Sequence, residues 1–180
     1  MALTLAAAIA MPQLIHADDA APAMDDIFRL TLPAGYGAFA KQEQSVPSPE
    51  AEIKATNWVS KSPDGSAVVV TMSQMPAKII DPEKLMNSTR ESLLKSLGAT
   101  LETEEKTNAD LIGANLFFRS KAAYFRSQLL VSEDRVYQLL YVGRTAEERT
   151  SPTVTQLFES FAVNSPPAEP AATTAGGAQR

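Results

Sequence analysis

Residues 124–142, YFRSQLLVSEDRVYQLLYV, restrict the fold more than any other stretch of the chain. Two runs of leucine, β-branched and aromatic residues flank Glu133-Asp134, the pattern of a β-hairpin. With Glu133-Asp134 as the turn, Phe125, Ser127, Leu129 and Val131 share one side with Val142, Leu140, Gln138 and Val136. The other side carries Tyr124, Arg126, Gln128 and Leu130 against Gly143, Tyr141, Leu139 and Tyr137. The first face reads as core. The second is a mixed aromatic and polar face, covered partly by a helix or loop, or partly open. Glu-Asp is not the pair that a primed turn favours, so the cross-strand partners depend on the loop length. The alternation within each strand does not.

The surrounding pattern supplies the rest of a sheet. Ile27–Leu32 alternates and stops at the turn cluster Pro33-Ala34-Gly35-Tyr36-Gly37. Phe39–Val46 and Ile53–Ser60 read as half-exposed strands, and Pro63-Asp64-Gly65 turns into the β-branched run Ala67–Met72, expected to be a central strand. Asp81-Pro82 is a helix start, with Asp81 as N-cap. Leu85, Thr89, Leu93 and Leu97 recur at helical spacing, Met86 and Leu94 widen the stripe, and Gly98 closes it. Three further strand segments follow: Leu101–Lys106, Ala114–Ser120 together with Tyr124–Ser132, and Arg135–Gly143. Ser151-Pro152 repeats the capping signal before Val154, Leu157, Phe158 and Phe161. The expected class is α+β, an antiparallel sheet with α-helices packed on it.

The ends of the chain have a different composition. Ala2–Met11 is an uncharged apolar run, too short for a mature transmembrane helix but suited to a secretory signal, and residues 1–17 are expected to be one. No Lys or Arg precedes the run, so the signal is atypical or the start lies upstream. Residues 18–25 read as a flexible lead-in, 26–163 as the domain, and 164–180 as a disordered tail rich in Pro and Ala. The expected location is periplasmic or secreted, with no membrane insertion after signal removal. A net charge of −5 argues against nucleic acid as a partner.

Composition also limits the chemistry. The chain has no cysteine and one histidine, His16, within the expected signal. A mature domain with neither residue loses Ser-His-Asp and Cys-His nucleophile systems and the usual zinc sites. Ser92-Leu93-Leu94-Lys95 matches S-x-x-K, but the S-D-N and K-T-G partners are missing and Leu93 lies on the core stripe. The acidic clusters at Glu102, Glu104 and Glu105, at Glu147 and Glu148, and at Asp18 and Asp19 lack calcium-loop spacing and read as solvated charge. Gly35-Tyr36-Gly37 lacks the third glycine of a nucleotide fingerprint and reads as a turn. Trp58 is assigned to the core, and the sequon Asn87-Ser88-Thr89 is discounted because it lies within a helix. No enzyme activity, cofactor or metal is expected.

An early strand ending in LPAGY, then YFRSQLLVSEDRVYQLLYVG and a short helix ending LFESFAV, resembles the PsbP/DcrB-like domains over about residues 27–163. These include the extrinsic P subunit of photosystem II and bacterial exported proteins. The resemblance implies an α/β sandwich that serves as a binding or assembly module and no shared enzymatic activity. DcrB-type members are lipoproteins, whereas this chain has no cysteine to carry an anchor. The expected function is a non-catalytic exported module that engages an unidentified protein partner, the alternative being a small-ligand carrier or sensor with a pocket between sheet and helix. The second hairpin face, joined by Arg119 and Lys121 of the preceding strand, nominates the contact residues Arg119, Tyr124, Arg126, Tyr137 and Tyr141, a basic aromatic patch of the kind that interfaces favour; the competing reading makes Arg126 and Tyr141 a structural cation-π pair.

Overall fold

The computed structural model describes residues 27–46, 52–107 and 111–164. The expected signal, lead-in and tail lie outside these residues, apart from Asn164, whose N–H donates to the Ile27 carbonyl at 2.9 Å. In chain order the elements are β1 (Phe28–Arg29), β2 (Ala40–Val46), β3 (Ile53–Lys61), β4 (Ala67–Gln74), α1 (Pro82–Leu97) and β5 (Thr100–Lys106). Then come β6 (Ile112–Arg119), β7 (Tyr124–Val131), β8 (Arg135–Gly143), α2 (Ala146–Thr150), α3 (Pro152–Ser160) and β9 (Ala162–Val163).

Strands β2 to β8 form one antiparallel seven-stranded sheet in the order β2-β3-β4-β8-β7-β6-β5. Two meanders therefore meet at the β4–β8 seam, and α1 carries the chain from the middle of the sheet to its far edge. The hairpin register is the expected one, Tyr124 opposite Gly143 through Val131 opposite Val136. No non-glycine residue among those described has a positive φ, so the Glu133-Asp134 turn is not a primed one. Neighbouring chain holds it instead. The N–H groups of Met75 and Ile79 donate to the Asp134 and Glu133 carbonyls at 2.8 and 2.6 Å, and the Gln74 amide donates to the Asp134 carboxylate at 2.7 Å. Ala114–Ser120 and Tyr124–Ser132 become the antiparallel neighbours β6 and β7, joined by a turn in which the Ala123 carbonyl accepts from the Ser120 N–H at 2.9 Å.

Both faces of the sheet are covered. On one, Leu85, Met86 and Leu93 of α1 pack on Leu116, Phe118, Phe125, Leu129 and Leu140. Asp81 caps α1 by accepting from the Lys84 N–H at 2.9 Å, and Gly98 ends it in the left-handed region at φ 56°. On the other, Val154, Leu157, Phe158 and Phe161, from α3 and its C-cap, pack with Phe28 on Trp58, Val68, Val70, Tyr137, Leu139 and Tyr141. Ser151 caps α3 by accepting from the Val154 N–H at 3.3 Å. Trp58 is 2% exposed, with the Phe28 ring edge-on at 5.0 Å. The helix α2 and the two-stranded β1–β9 ribbon were not foreseen; β1 is only the first part of the expected Ile27–Leu32 strand.

Gly113, on β6, lies so close to its neighbours that an added Cβ would run into the Leu129 carbonyl oxygen and come within 2.8 Å of Thr107 Oγ1. A ladder carbonyl cannot retreat without breaking its strand. Gly113→Ala is therefore expected to cost about 2 kcal/mol or more, read as a lower urea midpoint with an unchanged slope.

Candidate functional site

The side chains that α3 and α2 cover at the β6–β7 end of the sheet form an alternating stack of cations and rings. The Arg126 guanidinium lies 4.4 Å from the Phe158 ring centroid and 5.3 Å from that of Phe117. The Arg149 guanidinium lies 5.7 Å from the same Phe117 ring and 5.4 Å from that of Tyr124. The order is Phe158, Arg126, Phe117, Arg149, Tyr124. Each cation lies over the negative quadrupoles of two rings, worth about 0.5 to 2 kcal/mol per contact as water is excluded.

Hydrogen bonds hold the stack to the frame. Arg126 Nη1 donates to Thr155 Oγ1 of α3 at 3.2 Å. Arg149 Nη1 donates to the Phe118 carbonyl at 3.1 Å, and its Nη2 donates to Glu102 Oε2. Glu102 Oε1 also accepts from Arg119 Nε at 3.0 Å, so one carboxylate joins both arginines. A β-bulge makes this possible. The β5 register jumps between Leu101 and Thr103, leaving Glu102 as the extra residue. Leu101 stays in the α1 core while Glu104, moved to that face, pairs with Arg90 of α1. Glu102 and Glu104, read from sequence as solvated, are anchors. The Nε–H groups of Arg126 and Arg149 are buried without an acceptor, so ring faces are what surround them. Burial lowers the Arg126 pKa, an effect opposed by the Glu105 and Glu159 charges.

A second polar cluster lies where the β3–β4 turn meets the end of β8. The Tyr36 and Ser66 hydroxyls are 2.6 Å apart, and Ser66 Oγ donates to Asp64 Oδ1 at 2.7 Å. The Tyr141 hydroxyl joins Tyr36 and Ser66. Desolvation foremost, then the neighbouring phenol and the Glu148 carboxylate, push the Tyr141 pKa far above its ordinary value. Tyr36 is raised as well, again chiefly by burial. Both phenols are proton-bearing packing groups at neutral pH, unsuited to act as bases.

The five nominated residues thus separate. Arg119 is exposed and Tyr124 half-buried at the rim, Arg126 is clasped beneath α3, and Tyr137 and Tyr141 are 1% and 4% exposed in the core. Phe117, Tyr137 and Leu139, the residues that would line a pocket between sheet and helix, are packing groups; Leu139 is fully buried and Phe117 contacts two guanidiniums. Leu93 of the S-x-x-K stretch is in the core, while Lys95 is exposed in the last turn of α1. Sequence reasoning missed Arg149, which is 9% exposed. Its setting in EERTSP resembles an ordinary solvated helix end. The one available signal was an arginine two residues before a capping serine, too common to single out.

The fold is similar to the solution structure of cyanobacterial PsbP (CyanoP) from Synechocystis sp. PCC 6803, with a TM-score of 0.54 at 12% identity over 79% of this chain and 90% of that one. The α+β architecture is thus PsbP-like. No family model matches the chain, and no curated protein is significantly similar to it. No helix among the described residues is long and apolar enough to cross a membrane.

Two measurements test this geometry. Arg149→Met removes the cation between Phe117 and Tyr124 and is expected to cost about 2 kcal/mol, because Glu102 is left facing only Arg119. In a double-mutant cycle with Glu102→Gln the two losses should fall short of additivity by about 1 kcal/mol; strict additivity would deny the coupling. The second test uses pH. Tyr36 and Tyr141 have folded-state pKa values raised above the ordinary tyrosine value of about 10, so their contribution is fully present below about pH 10. It is lost as pH rises toward the folded values, because the unfolded chain releases protons that the folded chain retains. Tyr141→Phe should flatten this alkaline limb in melts from pH 8 to 11, and an unaltered limb would count against the cluster.

Proposed function

We propose that this protein is a non-catalytic, exported binding or assembly module that holds a protein partner in the periplasm at the end of the sheet where Arg119 and Tyr124 reach the surface. The observation that carries this reading is the clasp behind them. Arg119, 59% exposed at its side chain, is tied through Glu102 to the buried Arg149, against which Tyr124 stacks. An exposed arginine and tyrosine held in place before binding lose less freedom on association than mobile side chains do. Both types are over-represented among the residues that dominate interface energies. Arg126, Tyr137 and Tyr141 act in this reading from beneath, by fixing the sheet and α3 on which the rim sits.

Three further observations support it. His16 is the sole histidine and cysteine is absent, which removes the commonest nucleophile and acid/base systems. The apolar run Ala2–Met11 fits a secretory signal. The fold is one that the likeness to cyanobacterial PsbP also displays. The carrier alternative has less support, because the side chains between sheet and α3 pack on one another.

Arg119→Ala tests the assignment without reversing the charge beside Glu102. The full chain is used as bait in periplasmic extract, and proteins recovered by wild type and variant are quantified together. The expected result is an unchanged melting temperature with partner affinity down by about 2 kcal/mol, roughly thirtyfold. Arg126→Glu should instead lower the melting temperature, since it places a carboxylate against the Phe158 and Phe117 faces. Full recovery with a stable Arg119→Ala would remove this end of the sheet from the interface.

A further inference from the structure

The two outer strands of the sheet are built differently. At one edge, β5 is broken by the bulge at Glu102, so another strand approaching it meets a kink. Bulges and charge are the usual means of keeping an edge from pairing. At the other edge, β2 has no bulge and carries one charge of each sign. Its seven residues, AKQEQSV, pair with β3 in unbroken register from Ala40 to Val46 and contain no proline. Lys41 and Glu43 lie on the same face and bridge each other at 3.4 Å, so the strand has no net charge. Among the described residues no strand pairs with the outer side of β2, and no bulge or proline interrupts it.

From this contrast we infer that β2 is a docking edge and that its occupant is the β2 strand of a second copy of this chain, paired antiparallel about Gln42. The charge pattern selects both the occupant and the register. Continuing the sheet across a two-fold axis perpendicular to it requires partners on the same face, so the centre must fall on a residue. Centred on Gln42, Lys41 of each copy stands opposite Glu43 of the other, and Ala40 stands opposite Gln44. Centred on Lys41 or on Glu43, like charges oppose, and centred on Gln44, neither charge meets an opposite one. Lys41-Gln42-Glu43 is therefore complementary to itself in one antiparallel register. Strand addition of this kind draws its affinity from main-chain hydrogen bonds and its specificity from alternate side chains. Two edge strands bury less surface than a standard stable interface, so the dimer forms at high concentration. This inference does not rest on the partner-binding reading, whose residues lie near the opposite edge of the sheet.

The test uses the intact chain, which has no native cysteine to interfere. Gln42→Cys puts the two thiols directly opposite each other, whereas Gln44→Cys leaves them roughly 13 Å apart. Under mild oxidation the first variant should form a covalent dimer and the second should not. Equal cross-linking of the two, or none in either, overturns the register. In sedimentation equilibrium, Lys41→Glu alone and Glu43→Lys alone should each weaken dimerisation about tenfold, because like charges then oppose. Glu43 is 73% exposed and Lys41 47%, with the Lys41 ammonium also 5.8 Å from the Trp58 ring centroid, so the melting temperatures of both variants are compared with wild type before association is read. Mixing the two variants restores opposite charges at every pair and should restore association. A wild-type chain that stays monomeric up to near-millimolar concentration, or a dimer indifferent to both reversals, overturns the proposal.

Discussion

Strand β8 has no side it can show to water. Every residue from Val136 to Tyr141 is buried, so both of its faces need apolar cover. One face is closed by α1, the other by α3 and the β1–β9 ribbon. The central position of β8 between β4 and β7 follows from the same demand, because a strand apolar on both faces is least exposed in mid-sheet. The single polar intrusion, Gln138, is met by the Ser127 hydroxyl, to which its amide donates at 3.1 Å across the hairpin. A buried amide without that partner would cost about 1 to 3 kcal/mol.

The parts of this architecture that were legible in the sequence are those where local chemistry and tertiary demand agree. Asp81, Pro82 and Gly98 mark the limits of α1 because capping is a local event, and the stripe from Leu85 to Leu93 lies on the sheet as its spacing requires. The hairpin register was legible because both strands alternate cleanly about Glu133-Asp134. What was not legible depends on distant chain. The same turn lacks favoured turn residues and is held from outside by Gln74, Met75 and Ile79. The bulge at Glu102 reflects the placement of Arg149, Arg119 and Arg90, which no window of sequence brings together. Of the nominated patch, Arg126 and Tyr124 do share a neighbourhood, but through Phe117 and an arginine two elements away.

The cation–ring stack shows how an acidic chain can keep two guanidiniums under cover. Neither Arg126 nor Arg149 could be desolvated cheaply alone. Phe117 serves both, and Glu102 neutralises the more deeply buried of the two while it and the Phe118 carbonyl accept from its terminal nitrogens. Because the stack joins β5, β6, β7, α2 and α3, a displacement at its rim is felt through rigid, packed groups. That rigidity is a property of the scaffold before it is a property of any interface.

The β4–β8 seam has a temporal consequence. Its strands belong to different meanders, and Gln74 and Asp134, which lock its end, are 60 residues apart in the chain. A chain made from its N-terminus completes β2, β3 and β4 long before β8 exists. During that interval the valine-rich β4 is itself an outer strand, with Val68 and Val70 facing solvent that they never meet in the finished fold. Long-range strand pairing of this kind is slow and leaves such edges open to wrong partners. The half-made protein is thus most vulnerable at the very strand that becomes its centre.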